Sequence, residues 1–308
     1  MKCLYCYQES DQEFHAKCSQ KFFGSAVPPE IPYSEEDLLK LAEQMIKGRA
    51  TVTGVQPKLS LHIQKPDNQT AKLTIVGLWG QYILKPQSPV WPELPQIEDL
   101  TMHLAKRAKI KTADHSLVRL GSGELSYVTR RMDRKNGKKI HMEDMCQLTG
   151  RLTEDKYKSS HERIAKEIKL KSAIPGLDLV RYYELVLFSF LTGNADMHLK
   201  NFSLIMNAKG FHELAPAYDL VASALVVEGD DEELALTLAG KRKSLRRSDF
   251  ELAMKTSGIP EKTINNMLTK FSKFLEPWMG FVDQSFLSEE MKEEYKTLLT
   301  QKHKQVYG

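Results

Sequence analysis

The sequence predicts an α+β protein with two lobes, a small β-rich lobe followed by a larger helical one. Apolar and polar residues alternate with the period of a strand in much of residues 51–130, whereas from about residue 141 apolar residues recur with the period of a helix. The 308 residues are enough for one large domain or two tightly packed lobes. We expect an N-terminal Cys/His cap and helix over residues 1–48, a β-rich N-lobe over 49–140 and a helical C-lobe over 141–308.

Composition and charge narrow the class of protein. Apolar residues make up 41% of the chain and charged residues 27%, which is ordinary for a globular protein. No apolar run approaches the length of about 18 residues that a membrane-spanning helix needs, and the N-terminus lacks the apolar stretch of a secretory signal. The net charge of +4 is mild for a dedicated nucleic-acid binder. We expect a cytoplasmic protein with no membrane contact and no direct DNA binding.

The elements of the first half follow from turn residues and alternation. Ser34 is placed to cap a helix that has acidic residues in its first turn and ends near Gly48. Strands are predicted where apolar residues alternate, and a helix where they recur every three or four residues. These segments are strands at about 59–63, 72–75, 81–85, 116–120 and 125–130 and a helix at 97–108.

The second half is predicted to be mainly helical. Apolar residues between 179 and 191 mark a long buried helix that runs into Gly193. Further amphipathic helices are predicted at 261–277 and 288–302. Between the helices lies an irregular run, 193–219, which includes a strand-like apolar stretch after Asn201.

This irregular run contains the residues that carry chemistry. Asp196 precedes Asn201 by five residues, the spacing of the protein-kinase catalytic loop, in which the Asp accepts the proton of the substrate hydroxyl and the Asn holds magnesium. Asp219 follows among apolar residues, and a carboxylate together with an amide oxygen suits Mg²⁺. The spacing by itself is weak, because Asn and Asp are also common in turns and at helix ends.

Three features upstream strengthen this interpretation. The loop from Thr51 to Lys58 contains one glycine and opens a strand, so it can present backbone N–H groups to phosphates. Lys85 lies on the third strand after the loop, where kinases carry the lysine that pairs the nucleotide phosphates. Glu98 lies on the next helix, where a glutamate holds such a lysine. Singly these are an ordinary turn, a solvated lysine and a first-turn acid; together they predict a bilobal, protein-kinase-like fold.

The N-terminal cap holds three of the four cysteines. They form the pairs Cys3-x-x-Cys6 and His15-x-x-Cys18. Disulfides are unusual in a cytoplasmic protein, and two such pairs can supply four ligands to a tetrahedral Zn²⁺. A small helical cap with buried thiols explains the same residues, and both interpretations stay open.

Four segments closely resemble the HipA family of toxin kinases, and the resemblance extends from about residue 49 to the C-terminus. They are Thr53-Gly54-Val55-Gln56-Pro57-Lys58-Leu59-Ser60, Tyr82-Ile83-Leu84-Lys85-Pro86, Asn194-Ala195-Asp196-Met197-His198-Leu199-Lys200-Asn201-Phe202-Ser203 and Leu214-Ala215-Pro216-Ala217-Tyr218-Asp219-Leu220. The resemblance implies a serine/threonine kinase that uses ATP and Mg²⁺.

The resemblance also implies a role for each site residue. Asp196 would be the catalytic base, and Asn201 and Asp219 the Mg²⁺ ligands. Lys85, held by Glu98, would contact the ATP phosphates. His198 and Lys200 also match catalytic-loop positions of the family, and Lys200 would contact the transferred phosphoryl group. The remaining matched positions are Glu143 and Asp144 at the adenine site and Thr51, Thr53, Gly54, Val55, Gln56 and Lys58 in the phosphate loop.

Partners and regulation are implied in the same way. Family members with known targets phosphorylate aminoacyl-tRNA synthetases, so translation arrest is expected, with DNA contact only through an antitoxin. Some 48 residues precede the phosphate loop. This short N-terminal segment resembles that of HipT, the short toxin of HipB–HipS–HipT systems. HipB-like and HipS-like antitoxin partners are therefore expected. The family autophosphorylates a serine of the loop, and Thr51 and Thr53 occupy the matching positions here.

Two other functions remain as alternatives. The chain could be a nucleotide-binding pseudokinase or regulatory module that acts through partners, although a pseudokinase commonly lacks one of the residues that are all present here. It could also be a zinc-dependent nucleic-acid binder built on the cap, against which the few basic residues of positions 1–30 argue.

Overall fold

The computed structural model describes residues 1–46, 58–65, 70–76, 80–135, 137–227, 229 and 231–308. These residues divide into two compact units. The first combines residues 1–100, 113–131 and 284–287, and the second combines residues 101–112, 132–283 and 288–308.

The first unit is built on an antiparallel sheet. Within the described residues its five strands lie in the order β2–β1–β3–β5–β4, with β1 Leu59–Gln64, β2 Lys72–Ile75, β3 Tyr82–Lys85, β4 His115–Arg119 and β5 Leu125–Arg130. Leu59, Leu61, Leu73, Leu84 and Val128 are buried, as the alternation of apolar residues predicts. The pairing of β3 with β5 places Lys85 opposite Tyr127.

Two helices precede the sheet in the chain, α1 (Ala16–Phe23) and α2 (Glu35–Ile46). The predicted cap of α2 is confirmed, since the Asp37 N–H donates to the Ser34 hydroxyl at 3.1 Å. Its predicted end near Gly48 lies outside the described residues. Cys3, Phe22 and Leu38 share one apolar core with the strand residues, so residues 1–38 fold onto the sheet.

The second unit is mainly helical. Helix α3 (Leu94–Arg107) begins in the first unit and ends in the second. The helices that follow are α4 (Met145–Leu148), α5 (His161–Lys171), α6 (Pro175–Leu191), α7 (Arg247–Thr256), α8 (Glu261–Phe271), α9 (Leu275–Val282) and α10 (Glu289–Tyr307). As predicted, α6 is buried over most of its length, and Phe188 packs edge-on against Trp278 with ring centroids 5.6 Å apart. None of the described helices is long and apolar enough to cross a membrane.

One helix boundary was predicted wrongly. The sequence favoured a single helix over 261–277, but the structure ends α8 at Phe271 and starts α9 at Leu275. The reason is Pro277, which has no N–H to bond to the carbonyl four residues earlier and whose ring would clash with it. A new helix that begins at Leu275 puts Pro277 in its first turn, where no N–H is needed.

Short strands lie between the helices of the second unit. A three-stranded antiparallel sheet has the order β10–β9–β8, with β8 Met142–Asp144, β9 Ser203–Met206 and β10 His212–Leu214, and β6 (Arg134–Lys135) pairs with β7 (Lys138–Lys139). Only β9 was predicted. The register places Ser203 opposite Asp144, so β9 carries the end of the predicted catalytic loop to β8.

Candidate active site

The predicted catalytic loop begins where α6 ends. Gly193 has φ +67, a conformation that favours glycine, and a Cβ there would lie 2.6 Å from Leu298 Cδ2, so this side chain would have to move. The loop is then fixed by hydrogen bonds from Asn194 N–H to the Ser189 carbonyl, at 2.8 Å, and from Ala195 N–H to the Ser223 hydroxyl, at 2.9 Å. Two hydrogen bonds therefore hold the backbone directly before Asp196.

Asp196 is exposed and has an aromatic partner. The Tyr157 hydroxyl donates to Asp196 Oδ1 at 2.7 Å. The Tyr157 ring also packs edge-on against His198, with centroids 5.2 Å apart. This contact fixes one carboxylate oxygen and leaves Oδ2 as the atom that can accept a proton from a substrate hydroxyl.

Asn201 lies five residues further on, at the end of a short 3₁₀ turn, and is buried. Its Nδ2 donates to the Asp196 carbonyl, at 3.4 Å, and lies 3.8 Å from Met197 Sδ. Because the amide nitrogen bonds to the loop, the amide oxygen is the side-chain atom left to coordinate a cation. The structure thus joins Asn201 to Asp196 as the spacing predicts.

Asp219 is brought to this loop by the residue before it. The Tyr218 hydroxyl donates to the Lys200 carbonyl at 2.8 Å and shares a hydrogen bond of 2.5 Å with the Ser203 hydroxyl. Burial raises the pKa of Tyr218, so the phenol stays protonated as a donor. Asp219 itself has φ +60, a left-handed conformation that a non-glycine residue adopts at a cost of about 1–2 kcal/mol. Such strain is often found at functional sites.

His198 is buried and lies near enough to Asp196 and Asp219 for the charges of both to act on its imidazole. Burial lowers the pKa of His198 below its usual value, although the negative charges of Asp196 and Asp219 act in the opposite direction. Its Nδ1 has no hydrogen-bond partner among the described residues. A neutral imidazole beside two carboxylates is consistent with the predicted position of His198 in the site.

Lys200, Asp144 and Glu143 are also brought together. Lys200 Nζ forms an ion pair of 3.0 Å with Asp144 Oδ2, while Asp144 Oδ1 accepts from the Gln147 N–H and caps α4. Glu143 is paired with Leu204 on β9 and lies 3.8 Å from His141, measured from Oε2 to Nε2. In this structure Lys200 therefore contacts the predicted adenine-site residue Asp144 directly.

In the first unit Lys85 and Glu98 form the predicted pair. Lys85 Nζ lies 2.5 Å from Glu98 Oε1, and the two side chains are 5% and 0% exposed. The lysine also lies over the Tyr127 ring, 5.4 Å from its centroid. A buried lysine held by a carboxylate is the arrangement that positions an ammonium group for phosphate contacts.

The phosphate loop is only partly described. Thr51, Thr53, Gly54, Val55 and Gln56 lie outside the described residues, and their roles stay predictions. Lys58, the last predicted loop residue, is described and exposed just before β1.

Three contact residues were not found from the sequence. Tyr157 positions Asp196, and Tyr218 positions the segment that carries Asp219. Of the two, only Tyr218 could have been suggested by the sequence, because it directly precedes Asp219. In the first unit, buried Asp99 accepts from Tyr7, at 2.7 Å, and contacts His115 Nδ1, at 2.6 Å. Asp99 follows Glu98 in the chain, so this contact helps to fix the helix that carries Glu98.

The matching family model gives the class of this protein. Residues 50–278 match the HipA-like C-terminal domain, which is most of the chain, and the protein therefore belongs to this family. The predicted kinase-like α+β fold is confirmed by the structural comparison.

Particular relatives extend the comparison. The chain is 32% identical to the putative kinase Y4dM of Sinorhizobium fredii, over 67% of this chain and 52% of that protein. It is 30% identical to the serine/threonine-protein kinase toxin HipA of Shewanella oneidensis, over 74% of this chain and 56% of that protein. The match thus spans little more than half the length of these relatives. The solved structure of Shewanella oneidensis HipA with HipB and operator DNA has a TM-score of 0.72 and 25% identity, covering 90% of this chain and 71% of that chain.

Proposed function

We propose that the protein is an ATP- and Mg²⁺-dependent serine/threonine protein kinase of the HipA type. The observation that carries this proposal is the way Tyr218 ties the Asp219 segment to the loop of Asp196 and Asn201. Two sequence motifs 18 residues apart are thereby joined by hydrogen bonds. A helix end and an unrelated turn would have no reason to be bound together in this way.

The donor set fits Mg²⁺. The ion prefers a carboxylate and other hard oxygen ligands and keeps several waters, and Asp219 with the amide oxygen of Asn201 offers two such ligands next to an exposed carboxylate. When bound, Mg²⁺ would neutralise charge on the phosphates of ATP. The protein's own part is to orient these groups and to accept a proton at Asp196 Oδ2.

The substrate hydroxyl would be activated at Asp196. Its proton passes to Oδ2 while the hydroxyl oxygen bonds to the γ-phosphorus of ATP and the bond from that phosphorus to the β,γ-bridging oxygen breaks, which releases ADP. Tyr157 holds the other carboxylate oxygen, so Asp196 keeps one orientation. We propose that Lys85, fixed by Glu98, supplies positive charge to the nucleotide phosphates.

Substitution of the two acids tests this proposal. Asp196→Ala should lower phosphoryl transfer by about 10²–10⁴-fold, the range of general acid–base catalysis, and Asp219→Ala should abolish it through loss of a metal ligand. The measurement is transfer of labelled γ-phosphate from ATP, with circular dichroism to confirm folding. Asp231→Ala, which removes an exposed carboxylate paired with Lys243, is the matched control and should keep full activity.

The outcomes separate the proposal from its alternative. Wild-type transfer by either folded acid variant would contradict the assignment. Binding of ATP by the wild-type chain without any transfer would favour a nucleotide-binding regulatory module.

The biological setting is proposed from the relatives. The solved relative is a toxin complexed with HipB and operator DNA, so we propose that this chain is a growth-arresting toxin neutralised by a HipB-like or, as in HipT systems, a HipS-like protein. A cytoplasmic aminoacyl-tRNA synthetase is the proposed substrate. Phosphoproteomics after brief induction, against Asp196→Ala, would identify the target, and absence of any synthetase phosphosite would refute that choice.

A further inference from the structure

Four side chains at the start of the first unit converge on one point. They are Cys3, Cys6, His15 and Cys18, and one ligand atom from each lies within 4.8 Å of all the others. All three cysteines are free thiols. The sequence left zinc binding and plain thiol burial as alternatives, and the geometry distinguishes between them.

The distances are those of a metal tetrahedron. His15 Nδ1 lies 3.5 Å from Cys6 Sγ and 3.7 Å from Cys18 Sγ. Zinc bonds of about 2.3 Å to sulfur and about 2.0–2.1 Å to nitrogen give N···S edges of about 3.5 Å in a tetrahedron. The two N···S distances therefore match those expected around a zinc ion.

The imidazole is held in the form that binds metal. Its Nε2 lies 2.8 Å from the Glu9 carbonyl oxygen, which can only accept, so Nε2 carries the proton and donates it. Nδ1 then presents its lone pair to the thiols. A zinc-bound histidine is usually oriented by such a hydrogen bond from its other nitrogen.

Buried thiols alone do not explain this arrangement. Nδ1 has a single lone pair and can accept a good hydrogen bond from only one thiol, yet Cys6 and Cys18 both converge on it. Cys6 and Cys18 are half-buried and lie against the apolar core, but such packing does not require both sulfur atoms to face the same nitrogen. One cation at the centre satisfies all four groups at once.

The backbone is arranged to present the ligands in two pairs. Cys3 and Cys6 lie on a turn closed by hydrogen bonds of 2.9 Å from Tyr7 N–H to the Cys3 carbonyl and from Cys3 N–H to the Gln8 carbonyl. His15 and Cys18 lie at the start of α1. The two residues between Cys3 and Cys6 are the spacing typical of paired zinc ligands.

We propose that Cys3, Cys6, His15 and Cys18 bind one structural Zn²⁺. Three thiolates and an imidazole in a tetrahedron select zinc among the common divalent metals. The ion joins the N-terminal turn to α1. Tyr7 on the same turn donates to Asp99, so the bound turn also supports the helix of Glu98 without any zinc ligand taking part in nucleotide binding.

Metal analysis of the full chain, purified without chelator, tests the proposal. We expect about one zinc ion per chain, bound at the four-ligand site. Cys6→Ser/Cys18→Ser, which changes the two half-buried ligands, should lose the metal. The matched control is Cys146→Ser, which removes the fourth cysteine, located on α4 in the second unit, and should keep the full zinc content.

A second pair of variants separates metal binding from packing. His15→Cys puts a thiolate sulfur two bonds from Cα in place of Nδ1, which is three bonds from Cα, so this variant should retain zinc. His15→Ala has no ligand atom at this position and should lose most of the zinc. Cobalt(II) substituted into the wild type should give the absorption of a tetrahedral thiolate site. Folded variants that lose zinc should still bind ATP, so this result is independent of the kinase proposal.

The proposal is overturned if wild-type protein carries no more zinc than Cys6→Ser/Cys18→Ser, or if Cys146→Ser loses as much. If the cysteine variants fail to fold, the test is made on the wild-type protein alone. Titration of the wild-type protein with a zinc chelator should then expose three reactive thiols for each zinc ion that is released. Exposure of these thiols without release of zinc would refute the site.

Discussion

Because the ion pair of Lys85 and Glu98 is buried, we predict that breaking it strongly lowers the unfolding free energy. Replacing Lys85 by Met or Glu98 by Leu breaks a buried ion pair, which should cost about 3–5 kcal/mol of unfolding free energy. Replacing both residues removes both charges, and a buried ion pair exchanged for apolar groups of similar size is often neutral. We therefore expect Lys85→Met/Glu98→Leu to be more stable than either single variant.

Urea unfolding of the four proteins measures this as a double-mutant cycle. The coupling free energy should exceed about 3 kcal/mol, the lower end of the cost of one broken buried pair. The chain offers a matched control in Lys40 and Glu36 on α2, which are also 2.5 Å apart but have side chains 63% and 75% exposed. The same cycle on that pair should give a much smaller coupling free energy, because water and salt screen an exposed ion pair.

Nucleotide binding separates function from stability in the same proteins. Lys85→Met and the double variant should both lose ATP affinity, because neither can contact the phosphates, although the double variant recovers stability. Additive effects of Lys85→Met and Glu98→Leu, or single losses below about 1 kcal/mol, would refute the role of burial. ATP affinity retained by the folded double variant would refute the role of Lys85.

Three further predictions concern other parts of the chain. Burial lowers the pKa of His161 from 6.5 to about 3, so the unfolded state takes up a proton as pH falls below about 6.5 and the folded state does not. Lowering the pH from 8 to 5 should therefore reduce the unfolding free energy of the wild type, measured in urea, by about 2 kcal/mol more than that of His161→Gln. The same pH dependence in both proteins would contradict this role of His161. Mass spectrometry after incubation with ATP and Mg²⁺ should find phosphate on Thr51 or Thr53, adding about −1.5 to −2 charge to the phosphate loop, and phosphate found only elsewhere would reject this. Gly193→Ala should lower the unfolding free energy more than Gly210→Ala, since both glycines have positive φ but only at Gly193 does the added Cβ meet other atoms. An equal loss of unfolding free energy in the two variants would show that contacts of the added Cβ at Gly193 do not destabilise the protein.

Local pattern allowed much of the fold to be predicted from the sequence. The five strands of the first unit, the buried α6 and the cap at Ser34 depend on the character of neighbouring residues, so alternation and capping predict them. The broken helix at Pro277 and the short strands β8 and β10 were missed. A three-residue strand has too few residues to show a period, and its formation depends on the strand with which it pairs.

By itself, the sequence determined which groups are available for chemistry and the local structure that carries them. These are Asp196 and Asn201 on one loop, Lys85 on a strand, and two Cys/His pairs near the N-terminus. Only the tertiary structure decided which of these groups meet. Tyr157 and Asp196 are 39 residues apart, and Lys200 and Asp144 are 56 residues apart. Contacts at such separations are set by how helices and strands pack, because no local pattern encodes the partner of a side chain. The same holds for the lone pair of His15, whose direction towards Cys6 and Cys18 is set by the folded turn that brings the Glu9 carbonyl to its other nitrogen.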